Sequence, residues 1–528
     1  MTILAIPVSI NVSGSSRLVI ASDGYLEQYN SGTRVYRIPL DSISVLTVSG
    51  SENADTLELD VSGGIPVPAG GMTFSGGNGS DTVRVTGTLP QGALAVQQGY
   101  NATVGTSGTL SLNGLSVGYT SVELESILAG TSSITAVLPG GSRSIALQDG
   151  ISVGTGVTGG RLASSGLTQM DFVMPQSLAV RGDASGSRVT LLGTDSEFTV
   201  PGKLEVVNMA SITLQQSLKS TGSGSAISLG ATGSISIGSK SLDSSGKLSV
   251  VGGSVLSLNQ VHAGESFAIQ ATGGSVTMAS TARLVADTGT GLLSASGTVQ
   301  LAGTLVGAAA GLTIQSGSTS TTAISVTGTP KLSVTAGDLS VASEGGIRFA
   351  ATTIETSGIT RLTAKGQVDL GQVTADKLFT SGTSLLATGN VKAREVGLSH
   401  SAAMTFQKDL ETGLLDVESK TSAADLIFSG TSRLILNLDV SNPPMRSLVQ
   451  VTGAGGDVIF QTGSQLIVNA LLPTGASAQA GQSVDLVKVN GGKIYNSGTV
   501  TKRKQGAQEK LGNFGSTDDR IFIEIANG

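Results

Sequence analysis

The chain has 528 residues, a net charge of −6 with only 13% charged residues, 74 glycines, no cysteine and no tryptophan. Glycine stands at about twice its usual share, yet a hydrophobic share of 39% and a mean hydropathy of +0.23 exclude a disordered tail. The lack of cysteine excludes disulfides and thiolate metal sites, and the mildly acidic balance argues against nucleic acid as a partner.

Aromatic residues make up 3% of the chain. Such residues normally dominate buried area, so this chain must bury Val, Leu, Ile and Ala in many thin layers. The opening MTILAIPVSI has a short apolar run but neither a basic flank nor a small-residue cleavage site, and does not read as a signal peptide. Sustained helical periodicity with caps is missing. Alternating apolar runs of four to six residues recur instead, punctuated by Gly, Ser, Asn or Asp, which predicts an all-β chain.

Three gapless segments in the first 200 residues share one turn design. They are VSGSENADTL (48–57), FSGGNGSDTV (74–83) and VRGDASGSRV (180–189), each with an apolar residue, Gly at +2 and an apolar residue at +9. The second, from Gly76 to Arg84, also fits the calcium nonapeptide G-G-x-G-x-D-x-U-x. Asp55 and Asp81 are 26 residues apart, roughly one coil, so the two carboxylates are expected to stack as a candidate calcium site with Glu52 and Asp60 nearby. The bland reading is a plain Asx turn. The third turn has Ser187 at the Asp position, and it contains Arg181-Gly182-Asp183. Such a triplet can serve as a recognition loop, but its Gly is the shared turn glycine, and a structural role accounts for it.

Further along, Gly followed by an alternating strand begins at Gly233, Gly253, Gly274 and Gly297, steps of 20, 21 and 23 residues, and again at Gly366 and Gly389. A second strand falls between them, as in KLSV at 247 and 331. A period in the low twenties with two or three strands per period predicts a parallel β-solenoid with coils of about 20–25 residues. With about 4.8 Å per coil, the chain would extend on the order of 110 Å. LAGTLVGAAAGLTI (301–314) is too short and too rich in Gly and Thr to span a membrane. Prolines mark the divisions: an N-terminal β-solenoid region with Gly/Asp-rich turns (1–200), a regular shaft (201–441), and C-terminal coils with a capping segment (442–528).

Residues suited to chemistry are few. His262 and His400 are far apart and read as exposed corner residues. Acid clusters occur at Asp195 with Glu197, and at Asp409, Glu411, Asp416 and Glu418. A β-helical enzyme acting on polysaccharide would need such carboxylates converging on one face. Between 202 and 442 the aromatics are Phe267, Phe349, Phe379, Phe406 and Phe428, as readily core residues as sugar platforms. The one basic cluster, TKRKQGAQEK (501–510), reads as a solvated loop, with a docking patch for anionic glycan or lipid as the sharper alternative.

The N-terminal turns, together with GYTSVELESI, LPGGSRSIALQD and MPQSLAVRGD, resemble segments of large bacterial exoproteins with degenerate repeats-in-toxin-like turns. The middle resembles the β-helical shaft of filamentous-haemagglutinin-type adhesins. The stretch GGDVIFQTGSQLIVNALLPTGASAQAGQSVDLVKVNGGKI is similar to the last coils of autotransporter passenger domains. These resemblances imply an extracellular or cell-surface, non-enzymatic structural or adhesive protein, a rigid stalk facing a cell-surface or matrix component such as a glycan. They imply no cofactor beyond the candidate calcium. The sequence is expected to depart from the family patterns, since no stretch of it reads as the membrane barrel of an autotransporter or as the haemagglutinin-type secretion signal. The alternatives are the polysaccharide-degrading enzyme and a subunit that assembles end to end into filaments through open strand edges.

Overall fold

A computed structural model describes residues 5–88, 95–100, 106–154, 156–164, 167–183, 186–194, 197–473, 476–503 and 511–525. Among them the chain is all-β, with mostly parallel strands, no α-helix and one 3-10 turn at Leu40–Ser42. No helix there is long and apolar enough to cross a membrane. Two compact units divide the chain, one of residues 1–256 and 260–264, the other of 257–259 and 265–528.

In the first unit, strands that recur along the sequence lie side by side. Ser177–Arg181 pairs in parallel with Lys203–Met209, which pairs with Ala226–Ala231, which pairs with Lys247–Gly252. A second column runs from Arg188–Gly193 through Ser211–Leu214 to Ser234–Ser236. A third runs from Glu197–Val200 through Ser217–Ser220 to Ser241–Ser244. The alternation seen in the sequence is what makes this work. In Lys247–Gly252 every second residue is buried, so Leu248 and Val250 point inward while Lys247 and Ser249 face out.

The region before residue 173 is less regular than the sequence implies. Three antiparallel excursions interrupt its parallel columns. Ser15–Ile20, Tyr25–Asn30 and Thr33–Pro39 form one meander. Ala95–Tyr100, Gly108–Leu112 and Leu115–Thr120 form another, and Ser144–Gly154, Val157–Ser164 and Gln169–Phe172 a third. The first is tied by a charged knot. Glu27 is buried and accepts from Tyr29 Oη at 2.7 Å, Arg34 Nη1 at 2.9 Å and Arg37 Nε at 2.9 Å. The Tyr29 hydroxyl first, then the two guanidinium groups, hold its carboxyl below the usual range against the opposing effect of burial.

In the second unit three columns stay in parallel register. One runs from Thr290–Ala295 through Gly311–Ser316, Asp338–Ser343 and Ile359–Ala364, and on to Leu414–Ser419 and Val449–Gly453. Its inner row is Leu293, Ile314, Val341, Leu362, Thr380, Leu398, Val417 and Val451. Each burial of a side chain this size contributes about 1.5–3 kcal/mol. Another inner row places Phe406, Phe428 and Phe460 in register, with ring centroids 5.5 and 5.1 Å apart and the ring planes nearly parallel. After the last parallel pairings, Ser483–Val489 takes an antiparallel partner in Arg520–Ile525, which pairs in turn with Leu511–Ser516. This antiparallel ending covers a strand edge that would otherwise stay open.

Outward charges are matched across the strands too. Lys377 lies directly beside Glu395 and Lys392 beside Glu411, at 2.7 and 3.0 Å. Exposed pairs of this kind add little stability, but they penalise a slipped register, which would set like charges side by side.

Candidate functional site

The shared turn glycine has a steric cause. A Cβ at Gly50 would collide with the carbonyl of Gly76, one at Gly76 with the carbonyl of Ser121, and one at Gly182 with the carbonyl of Asn208. The neighbouring strand's turn packs against bare backbone at all three positions.

This packing brings Asp55 and Asp81 together, as their spacing implies. Both are buried. Asp55 Oδ1 accepts from the Gly14 N–H at 2.6 Å, and Oδ2 from the Ser51 N–H at 2.5 Å. Asp81 Oδ1 accepts from the Asp55 N–H at 2.7 Å, and the Asp81 N–H donates to Glu123 Oε2 at 2.7 Å. Three of the four aspartate oxygens are therefore committed to backbone donors. Asp81 Oδ2 is buried without a partner. Burial first, then the charges of Glu123 and Asp55, pushes the Asp81 carboxyl up, opposed by the hydrogen bond from the Asp55 N–H. Calcium needs six to eight oxygens, and these residues do not fit such a cage. Glu52 is exposed, and Asp60 accepts from Arg17 and from the Ser62 N–H. Among the described residues no group of three or more His, Cys, Asp or Glu is arranged to hold a metal. The arrangement is a ladder of hydrogen-bonded turns. The second unit has a counterpart, in which the Asp457 N–H donates to Asp425 Oδ1 at 2.9 Å and the Lys493 N–H to Asp457 Oδ1 at 2.7 Å.

The other candidates are equally engaged. Arg181 of the Arg-Gly-Asp triplet donates to Glu205 at 2.8 Å. Glu197 lies 3.4 Å from Lys219, and Asp195 falls outside the described residues. Asp409 is held by the Arg433 guanidinium, Glu411 by Lys392 and Asn437, and Asp416 by Arg446, while Glu418 accepts from Ser399 Oγ at 2.6 Å. Of the basic cluster, Thr501–Arg503 closes the strand Thr499–Arg503, and the remainder lies outside the described residues.

The two histidines separate. His262 is half-exposed and sits 2.7 Å from Asp243. His400 corrects the expectation of an exposed corner: it is fully buried. It stands between Gly382 and Ser419 in register, and these small neighbours leave room for the imidazole. Nε2 shares a hydrogen bond with Thr380 Oγ1 at 2.9 Å, while Nδ1 has no partner. Burial first, then the Lys420 charge, lowers its pKa to about 4.

One outward depression of the second unit brings together Phe379 and Asp416, which the sequence offered separately, with Arg361, Gly397 and Gln450, which it did not single out. Arg361, Phe379, Gly397, Asp416 and Gln450 lie in one register row across five strands, and they line a groove of about 490 Å³. Phe267, Phe349, Phe406 and Phe428 are buried, whereas Phe379 is half-exposed on the outer face. A Cβ at Gly397 would strike its ring, so the ring leans over that glycine, with the Arg361 guanidinium carbon 5.2 Å from its centroid. Arg446 closes one side by donating through Nη1 to both Asp416 oxygens, at 3.0 and 2.8 Å.

In comparisons with known proteins, no family model matches the chain, and no curated protein and no solved structure matches it.

Proposed function

We propose that the chain is a parallel β-solenoid that serves as an extracellular, non-enzymatic structural and adhesive scaffold, a surface-displayed stalk of the adhesin kind. The observation that carries this is the continuous parallel register of the second unit, in which successive strands bury like residues inward and pair their charges outward. A scaffold that repeats contacts along its length gains avidity without any single strong site. The carboxylates that an enzyme would need are held by bases or hydroxyls instead, which weighs against hydrolysis. Antiparallel strands lie over Ser15–Ile20 and Ser483–Val489 and cover part of the edge that open-ended filament growth would use.

Two experiments test the proposal. Thr405 and Ile427 lie directly opposite on the outer face, and the chain has no native cysteine. Neighbouring strands lie about 4.8 Å apart, within the span a disulfide bridges. The double variant Thr405→Cys/Ile427→Cys is expected to crosslink within each chain on mild oxidation, while Thr405→Cys/Ile459→Cys, two strand steps apart, stays reduced. Equal crosslinking of both would reject the coil arrangement. For the adhesive part, beads carrying many copies of the chain are expected to be retained on cell or matrix surfaces roughly a hundredfold better than the single chain. Retention no better than that of beads coated with an inert protein would discard it.

A further inference from the structure

We propose that the groove around Phe379 and Gly397 binds a neutral oligosaccharide. This deepens the adhesive proposal, on which it rests only for the biological use of the binding.

The groove is built by register, not by a loop alone. Arg361, Phe379, Gly397, Asp416 and Gln450 stand on consecutive strands. The row two residues further along carries Ser381, Ser399, Glu418 and Thr452. Glycine in the centre of the first row removes a side chain where its neighbours have one, and this leaves the hollow. Its volume, about 490 Å³, lies in the range of small-ligand sites.

The donors and acceptors select the ligand class. Arg361 is exposed, and its guanidinium, braced on the Phe379 ring, has no hydrogen-bond or ion-pair partner among the described residues. It therefore offers donors only. Glu418 offers acceptors only, while Gln450 and the Ser and Thr hydroxyls offer both. An anionic ligand would meet Asp416 and Glu418, and a cationic one would meet Arg361 and Arg446. A polypeptide seeking a strand edge finds none here, because the strands on both sides are already paired. A neutral ligand whose every polar group both donates and accepts satisfies the whole set, and sugar hydroxyls have that property. The half-exposed phenyl ring of Phe379 supplies the apolar area that sugar C–H groups require. The Arg446–Asp416 pair holds two planar groups at one side before the ligand arrives, which lowers the ordering cost of binding.

The full chain is titrated calorimetrically with malto-, cello-, manno- and N-acetylglucosamine hexasaccharides. At least one is expected to bind in the range of about 10 μM to 1 mM. Arg361→Ala and Phe379→Ala, both on the outer face, are expected to weaken that binding about tenfold or more while leaving the thermal unfolding profile in place. Gly397→Val, which fills the hollow, is expected to abolish it. If none of the four binds at millimolar concentration, or if binding is unchanged in Arg361→Ala and Phe379→Ala, the groove proposal is overturned. The two proposals fail separately. Bead retention unaffected by these three variants removes the groove from adhesion and keeps the scaffold. Sugar binding in solution without bead retention keeps the groove and removes the adhesive role.

Discussion

Replacing Phe428 with alanine is expected to destabilise the second unit by about 3–5 kcal/mol, the largest effect of any single substitution considered. Its ring is the middle member of a stack, with Phe406 on one side and Phe460 on the other, and all three are fully buried. Truncation removes the buried ring and leaves a cavity that neither neighbour can fill, because each is fixed to its own strand by backbone pairing. Aromatic contact with both neighbours is lost as well, each pair worth about 0.5–1.5 kcal/mol beyond area burial. Phe428→Leu retains most of the volume and is expected to cost less than half as much. Phe379→Ala, on the outer face, is expected to cost under about 1 kcal/mol. Denaturant unfolding, with hydrogen exchange at the strands Met404–Phe406 and Val458–Phe460, measures the differences. Equal costs at Phe428 and Phe379 would mean that the inward and outward assignments of these two residues are wrong.

Acidification is expected to weaken the fold through His400. Its pKa is lowered to about 4 from an ordinary 6.5. The folded state therefore takes up this proton later than the unfolded chain does. Above pH 6.5 both states are neutral here and the residue contributes no pH dependence. As pH falls below 6.5 the unfolded chain protonates first, and stability drops until the folded imidazole also titrates near pH 4. The loss across that window is roughly 3 kcal/mol. Carboxylates of the chain titrate in an overlapping range, so the comparison is with His400→Leu. That variant is expected to lose less stability than the parent between pH 7 and pH 4, and parallel pH profiles for the two chains would overturn the assignment. The partnerless Nδ1 and the single bond to Thr380 explain why nothing in the interior stabilises the charged form.

Much of the fold was legible because alternation is a local property. In GLSH at 397–400, His400 shares its phase with buried Leu398, so its inward position could have been read from the strand. The shared turn glycine was legible as a repeat, though its cause, a carbonyl of the neighbouring strand, was not. The groove was hidden for a different reason. Residues that meet across neighbouring segments are 18 apart for Asp376 and Arg394, 30 for Asp416 and Arg446, and 36 for Asp457 and Lys493. With steps that uneven, no fixed period tells which outward residues meet. Arg361, Phe379, Gly397 and Asp416 follow one another at steps of 18, 18 and 19 residues, shorter than the period read from the glycines, and Gln450 joins the row only after a step of 34. The same uncertainty left the acid clusters looking like catalytic candidates, because the bases that hold them come from other strands.

The two turn ladders point in opposite directions along the chain. At Gly14, Asp55 and Asp81 the backbone N–H comes first in sequence and its carboxylate acceptor arrives later, on Asp55, Asp81 and Glu123. At Asp457 and Lys493 the acceptor, on Asp425 and Asp457, has already been made. For a polypeptide emerging with its amino terminus first, an early turn keeps an unanswered donor until the following segment appears, while a late turn closes on arrival. Along these two ladders, the first unit's turns stay open for what comes next, and the second unit's turns close onto what precedes them.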